Sequence, residues 1–489
     1  MVIFNNKLLF DICGNASHIY KYNELDRHSS EPVCCKYENT NYLIKYVTFD
    51  VSGLDADGSN IDISASIPFI GYYHTIMKLF TSDGRLLHLP YINSRENILS
   101  MFVYRQIGQD IDGEASSDQS GYSVSLSLDG RRVAVGAHLN DGNGNASGHV
   151  RVYDLSGSIW VKIGEDIDGE ASADQSGHSV SLSPDGRRVA VGAHLNDGNG
   201  NASGHVRVYD LSGSIWVKIG EDINGEAPGD WSGYSVSLSS DGSKVAVGAR
   251  LNDGNGNDSG HVRVYEYQDS SWVQFGQDID GEYQKNSSGH SVSLSYNGLR
   301  VAIGTHLNDN NGRNSGHVRV YEYQDAYWVQ LGQSINGEAM DDYSGHSVSL
   351  SSDGSKVAIG GQGNNASGED SGHVRVYEYQ DSSWVQLGED IDGEASNDQS
   401  GHSVSLSSDG GRVAIGARYN NGSGDKSGHV RVYGYEDDSW VQLDEDINGE
   451  FPGDRSGHSV SLSSDGSKVA IGANYHSGYS GHVKVYEYS

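Results

Sequence analysis

"SGHSVSLSPDGRRVAVGAHLNDGNGNASGHVRVYDLSGSIWVKIGEDING", residues 176–225, decides the fold of this 489-residue chain. His178 to Ser183 alternates Val and Leu with Ser, the period-2 signature of a strand with small residues on one face. An Asp-Gly turn, the strongest short hairpin signal, leads into "RVAVGA". "HVRVYDL" is a third strand, and "WVKIGEDI" a fourth beyond a short polar turn. No apolar period of 3.6 residues occurs in the unit, which excludes helical repeats.

The unit recurs. Ser-Gly-[His/Tyr]-Ser-Val-Ser-Leu-Ser begins at Ser120, Ser176, Ser232, Ser288, Ser344, Ser400 and Ser456, always 56 residues apart. Trp160, Trp216, Trp272, Trp328, Trp384 and Trp440 keep the same period. Four short antiparallel strands repeated at this length describe a propeller blade. The fold expected is therefore all-β, a seven-bladed β-propeller over residues 99–489. A small β-rich or mixed domain of unknown type, residues 1–98, precedes it.

The last unit ends "GHVKVYEYS" with no tryptophan strand after it. Fifty-six residues before Trp160 stands Tyr104, in "MFVYRQIGQDIDGE", which matches "SWVQFGQDIDGE" in register. Residues 101–109, with Phe102 and Tyr104, are thus expected to supply the missing fourth strand. Such a strand closes the ring and removes the exposed sheet edges of an open one.

The pattern "SGHSVSLSSDGSKVAIGA…SGHVRVYEY" resembles the FG-GAP repeat, the blade of integrin α-chain propellers and their relatives. The resemblance covers residues 102 to 489. Here Ser-Gly-His/Tyr replaces Phe-Gly, and Gly-Ala-His, Gly-Ala-Arg and similar triplets replace Gly-Ala-Pro. With the added tryptophan strand, the repeats look like those of large surface proteins of algae, protists and their viruses. The resemblance implies binding or adhesion at an exposed or extracellular surface. Integrin-like blades hold calcium in a long loop between the first two strands. Here that loop has shrunk to "SSDGSK", with one carboxylate such as Asp241, too few oxygens for calcium.

The formal charge is −33, and residues 1–106, with 9 Lys/Arg and 11 Asp/Glu, contribute little of it. A surface so acidic excludes nucleic acid and anionic membrane as partners and favours a protein or glycan ligand. No run of about 20 apolar residues and no secretory signal pattern is present. The three cysteines, Cys13, Cys34 and Cys35, precede the repeats and are read as free thiols.

Two connections per unit are long, "DIDGEASADQSGH" and "HLNDGNGNASGH", and both emerge on one side of the disc. That long-loop face is the candidate binding face. The position before Ser-Gly-[His/Tyr] varies as Gln119, Gln175, Trp231, Ser287, Tyr343, Gln399 and Arg455. Trp, Tyr and Arg are the residue types that dominate interface energetics. Trp231, Tyr343, Arg455, Tyr283, Phe451, Tyr419, Tyr475, His476 and Tyr479 are the candidate ligand-binding residues, against a reading of drift in solvated loops. No catalytic set breaks the symmetry, so a propeller glycosidase or lyase is the lesser alternative, behind a displayed structural or virion component. No metal or cofactor is assigned. Asp253, Asn255, Asn257 and Asp258, or Asp166, Asp168 and Glu170, suit turns better than calcium, weak calcium binding being the alternative. Histidines repeated at 149 and its equivalents in every blade, and at 178 and its equivalents in five of seven with Tyr122 and Tyr234 in the others, are read as structural. Seven Asn-x-Ser sequons occur, six of them on long loops.

Overall fold

The computed structural model describes residues 103–488. Before them it describes only the backbone of five short strands, Ile3–Phe4, Lys7–Leu9, Cys34–Tyr37, Thr40–Leu43 and Thr48–Asp50. Phe102, Cys13 and the type of the first domain lie outside the described residues. The chain divides into two compact units, Met1–Met101 and Phe102–Ser489. In the first, Lys7–Leu9 pairs with both Ile3–Phe4 and Thr48–Asp50, and Cys34–Tyr37 pairs with Thr40–Leu43.

The second unit is a seven-bladed β-propeller of antiparallel blades. In the second blade the inner strand is Ser179–Leu182, followed outward by Arg188–Ala193, His205–Ser212 and Ile215–Lys218. The "WVKIGEDI" segment does not run on as one strand. Gly220, at φ +68, turns the chain, and Ile223–Asn224 returns as a fifth short strand on His205–Val206. The same break recurs in every blade.

The ring closes as the register of Tyr104 requires. Tyr104–Gln106 pairs with Tyr486–Tyr488, and Ile111–Asp112 pairs with His482–Val483. At the seam a tyrosine stands in the tryptophan slot. Elsewhere the tryptophan Nε1–H donates to a carbonyl of the preceding blade, as Trp384 does to Leu331 O at 2.7 Å. At the seam Tyr104 donates instead to Gly466 O at 3.1 Å. Tyr488 Oη supplies the inter-blade bond, to Leu443 O at 3.4 Å.

The serines of "SVSLS" explain their own recurrence, because blades stack through them. Ser125 Oγ accepts from Leu182 N at 2.9 Å, and the equivalent bond repeats seven times around the ring, ending with Ser461 Oγ and Leu126 N. Ser123 Oγ donates to Gly177 O at 2.8 Å in a second closed set of seven. Valines and leucines on the opposite faces fill the core between blades. One such layer joins Val133, Val135 and Tyr153 of the first blade to Val483 and Val485 of the last. A third set of bonds, near the tight turns, is interrupted where Pro184 has no N–H to donate.

Candidate functional site

The long loops are not free solvated segments. Asp174, buried, accepts from Ala171 N and from Asn196 Nδ2, both at 3.0 Å, and so ties its loop to the neighbouring one. Ala173, Gln175 and Ser176 donate to the carbonyls of Asn145, Ala146 and Ser147 in the preceding blade. Each long loop is thereby laced to the next into a rigid crown. The residues with calcium-like spacing serve this lacing. Asp253 Oδ1 accepts from Asp258 N at 2.8 Å, and Asn255 Nδ2 donates to Gly281 O at 2.8 Å. Among the sequons, Asn365 and Asn421 cap backbone N–H groups, and Asn286 is buried.

Carboxylates of "GEDIDGE" hold the blade interfaces. Glu114 pairs with Arg151 at 3.2 Å, and Asp166 lies 3.7 Å from buried His149. Six third-strand arginines (151, 207, 263, 319, 375 and 431) meet such a glutamate, and Lys484 replaces the arginine in the last blade, beside Glu450. His476 and His482 stack there at 4.0 Å, with His476 also 3.2 Å from Asp454. Burial drives His149 and His482 down to a pKa of about 4.

On the crown side, the residue that opens each inner strand forms a closed aromatic circle about the axis. In order these are Tyr122, His178, Tyr234, His290, His346, His402 and His458. Neighbouring centroids lie 4.9, 4.6, 5.1, 4.8, 4.7 and 5.0 Å apart, and 4.7 Å from His458 back to Tyr122. His178 Nδ1 lies 3.2 Å from Tyr234 O, which only accepts, so neutral His178 carries its proton on Nδ1 and its Nε2 accepts from Tyr122 Oη at 3.2 Å. Burial holds these histidines neutral, His178 at a pKa of about 4 and His346 at about 3. The two tyrosine hydroxyls are pushed up for the same reason.

A second set of side chains, each following the second strand, stacks on that circle. His138 lies 3.9 Å from Tyr122, His194 4.0 Å from His178 and His306 3.8 Å from His290. Arg250 takes the same slot over Tyr234 at 4.2 Å, and Arg418 places Nη1 3.3 Å from His402 Nε2. Sequence reasoning reads the histidines of the circle as structural because they repeat, and it does not single out His138, His194 or His306. In a closed ring a repeated position converges on the axis, and that convergence was the signal available in the sequence.

The variable position before each Ser-Gly joins this assembly in a left-handed backbone conformation, φ 54–58° in all seven copies. Trp231 stacks on Tyr234 at 6.3 Å, meets His194 edge-on at 5.2 Å and lies 4.8 Å from the Arg250 guanidinium. Tyr343 lies 6.3 Å from His306. Arg455 covers Tyr475 at 3.5 Å and Tyr419 at 5.1 Å, and Arg418 covers Tyr419 from 4.6 Å. Tyr479 meets Tyr475 edge-on, and Phe451 lies 5.8 Å from His476. Eight of the nine candidate residues therefore belong to contact groups about the mouth or the adjoining last-blade loop. Tyr283, 60% exposed, makes no ring contact with them among the described residues. At the tight-turn end a recess of about 130 Å³ is lined by Leu238, Leu294, Leu350, Leu406, Pro184 and Tyr296.

Among the described residues no helix is long and apolar enough to cross a membrane. No curated protein matches the chain. Among solved structures, Kuenenia stuttgartiensis hydrazine synthase is similar at 14% identity with a TM-score of 0.49, over 78% of this chain and 97% of that one. The FG-GAP repeat model matches residues 111–153 and 224–265. Each match runs from a short fifth strand through the next blade's third strand, leaving out the tryptophan strand. The chain thus carries FG-GAP repeats, set in a seven-bladed β-propeller closed by its own N-terminal strand.

Proposed function

We propose that the propeller is a non-catalytic binding module, displayed at an exposed or extracellular surface, that holds a protein or glycan ligand on its long-loop face. The observation that carries this reading is the convergence of Trp231, Tyr343, Tyr419, Arg455 and Tyr475 on the side chains around one axial mouth. These are half-buried, rigidly backed residues of the types that dominate binding energy. A left-handed conformation costs a non-glycine residue about 1–2 kcal/mol, and here it presents a large side chain in three of the seven copies. The laced crown supports the reading too, because loops ordered in advance lose little entropy on binding.

Glycan-array and surface-protein pull-down screening of wild type against Trp231→Ala and Arg455→Ala tests it. Each substitution is expected to weaken the captured ligand about 30-fold or more, the loss of a binding hot spot. Binding unchanged in both variants places the site away from the mouth.

A further inference from the structure

We propose that the axial mouth captures a single oxyanion, a carboxylate or a sulfate, borne on the terminal sugar of an otherwise neutral glycan. This rests on the binding role proposed above and names its ligand class. In a chain of charge −33, Arg250, Arg418 and Arg455 stand at the mouth with no carboxylate within 4.0 Å among the described residues. The contrast is internal, since the six third-strand arginines each have one. Among the described residues Arg418 has only neutral partners, Gln399 Oε1 at 3.1 Å and His402 Nε2 at 3.3 Å. Among the described residues Arg250 Nε is buried with no hydrogen-bond partner, as are Nδ1 of His138, His194 and His306. Stacking on tyrosine gives a guanidinium about 0.5–2 kcal/mol and does not itself engage the N–H donors. A buried guanidinium donor left unsatisfied is costly, and an oxyanion accepts from several N–H groups at once.

Burial lowers the pKa of Arg418, with Arg455 adding to the effect, so a bound anion relieves both. The surroundings limit how much negative charge the ligand carries. Acidic loops ring the mouth, so a polyanion is repelled while one negative group at the tip of a neutral chain is drawn to the axis. Trp231, 4.8 Å from the Arg250 guanidinium, supplies a flat apolar surface suited to the C–H face of a sugar.

Calorimetric titration of the full chain with a neutral galactoside trisaccharide, the same trisaccharide ending in a uronic acid, and the same ending in a sulfated galactose tests the assignment. At least one acidic form is expected to bind tenfold or more tighter than the neutral one, and the two acidic arms tell carboxylate from sulfate. Arg250→Gln and Arg418→Gln are each expected to remove most of that tenfold preference. Inorganic sulfate should compete with the acidic sugar better than chloride at equal ionic strength, a measurement on wild type that stands even if a variant fails to fold. Equal binding of all three sugars, competition no better than chloride, or Arg-dependent capture of an acidic peptide in place of acidic sugars each overturns the proposal. If Trp231→Ala still abolishes capture of a neutral glycan or protein, the binding role stands and the anion assignment alone falls.

Discussion

Trp384 is the residue scale in miniature. It is 3% exposed, and its Nε1–H reaches Leu331 O at 2.7 Å on the preceding blade. One indole therefore caps its own outer strand and fastens a neighbouring blade. Replacing Trp384 by Phe keeps an aromatic ring and removes the donor, leaving a buried carbonyl without its partner. The expected cost is about 1–3 kcal/mol, read as a lower denaturation midpoint with an unchanged slope. The seam shows how the same bond is made without tryptophan, because Tyr488 Oη reaches the equivalent carbonyl of Leu443. Trp384→Tyr does not reproduce that solution, since at the seam the hydroxyl comes from the third strand and not from the tryptophan slot.

At the scale of elements the decisive one is Tyr104–Gln106, which holds the last blade's outer edge through three residue pairs. Deleting residues 101–107 from the full chain leaves Tyr486–Tyr488 as an exposed edge and takes away Ile107, which packs on the first blade's core. A fall in melting temperature of about 5 °C or more is expected, with increased aggregation; an unchanged melting curve refutes the closure role. This element was legible in the sequence because a strict 56-residue period carries register across the whole chain, and Tyr104 falls in the tryptophan slot. The strands were equally legible from the Ser/Val/Leu alternation. Two features were not. The break at Gly220 and its equivalents follows from a turn whose partner, His205–Val206, is remote in sequence. The aromatic circle exists only after closure, when His458 meets Tyr122. Trp231, Tyr343 and Arg455 could be singled out by their variation, but the guanidiniums and histidines beneath them needed the axis to be meaningful.

At the scale of the whole molecule, repetition turns a small electrostatic effect into a large one. Thirteen histidines, eight about the axis and five on third strands, are held below their ordinary pKa, burial being the first cause in each. Each is neutral in the folded ring and takes a proton near pH 6.5 once unfolded. Below that pH the unfolded chain binds more protons than the native one, so stability falls as pH falls. The window runs from about pH 6.5 down to the native values, about 4 for His178 and about 3 for His346. Each such histidine contributes up to about 1.4 kcal/mol per pH unit inside it. A second, opposing effect comes from the net charge of −33, whose self-repulsion weakens as pH falls toward the pI of 4.8. Those charges are mostly exposed and screened within about 10 Å at 0.1 M salt, whereas the histidines are buried and are not. The buried groups therefore win. Thermal melts from pH 8 to pH 5 at constant ionic strength are expected to show a plateau above pH 7 and a steep decline below 6.5. A melting temperature that holds or rises toward pH 5 would show that surface repulsion governs the fold instead.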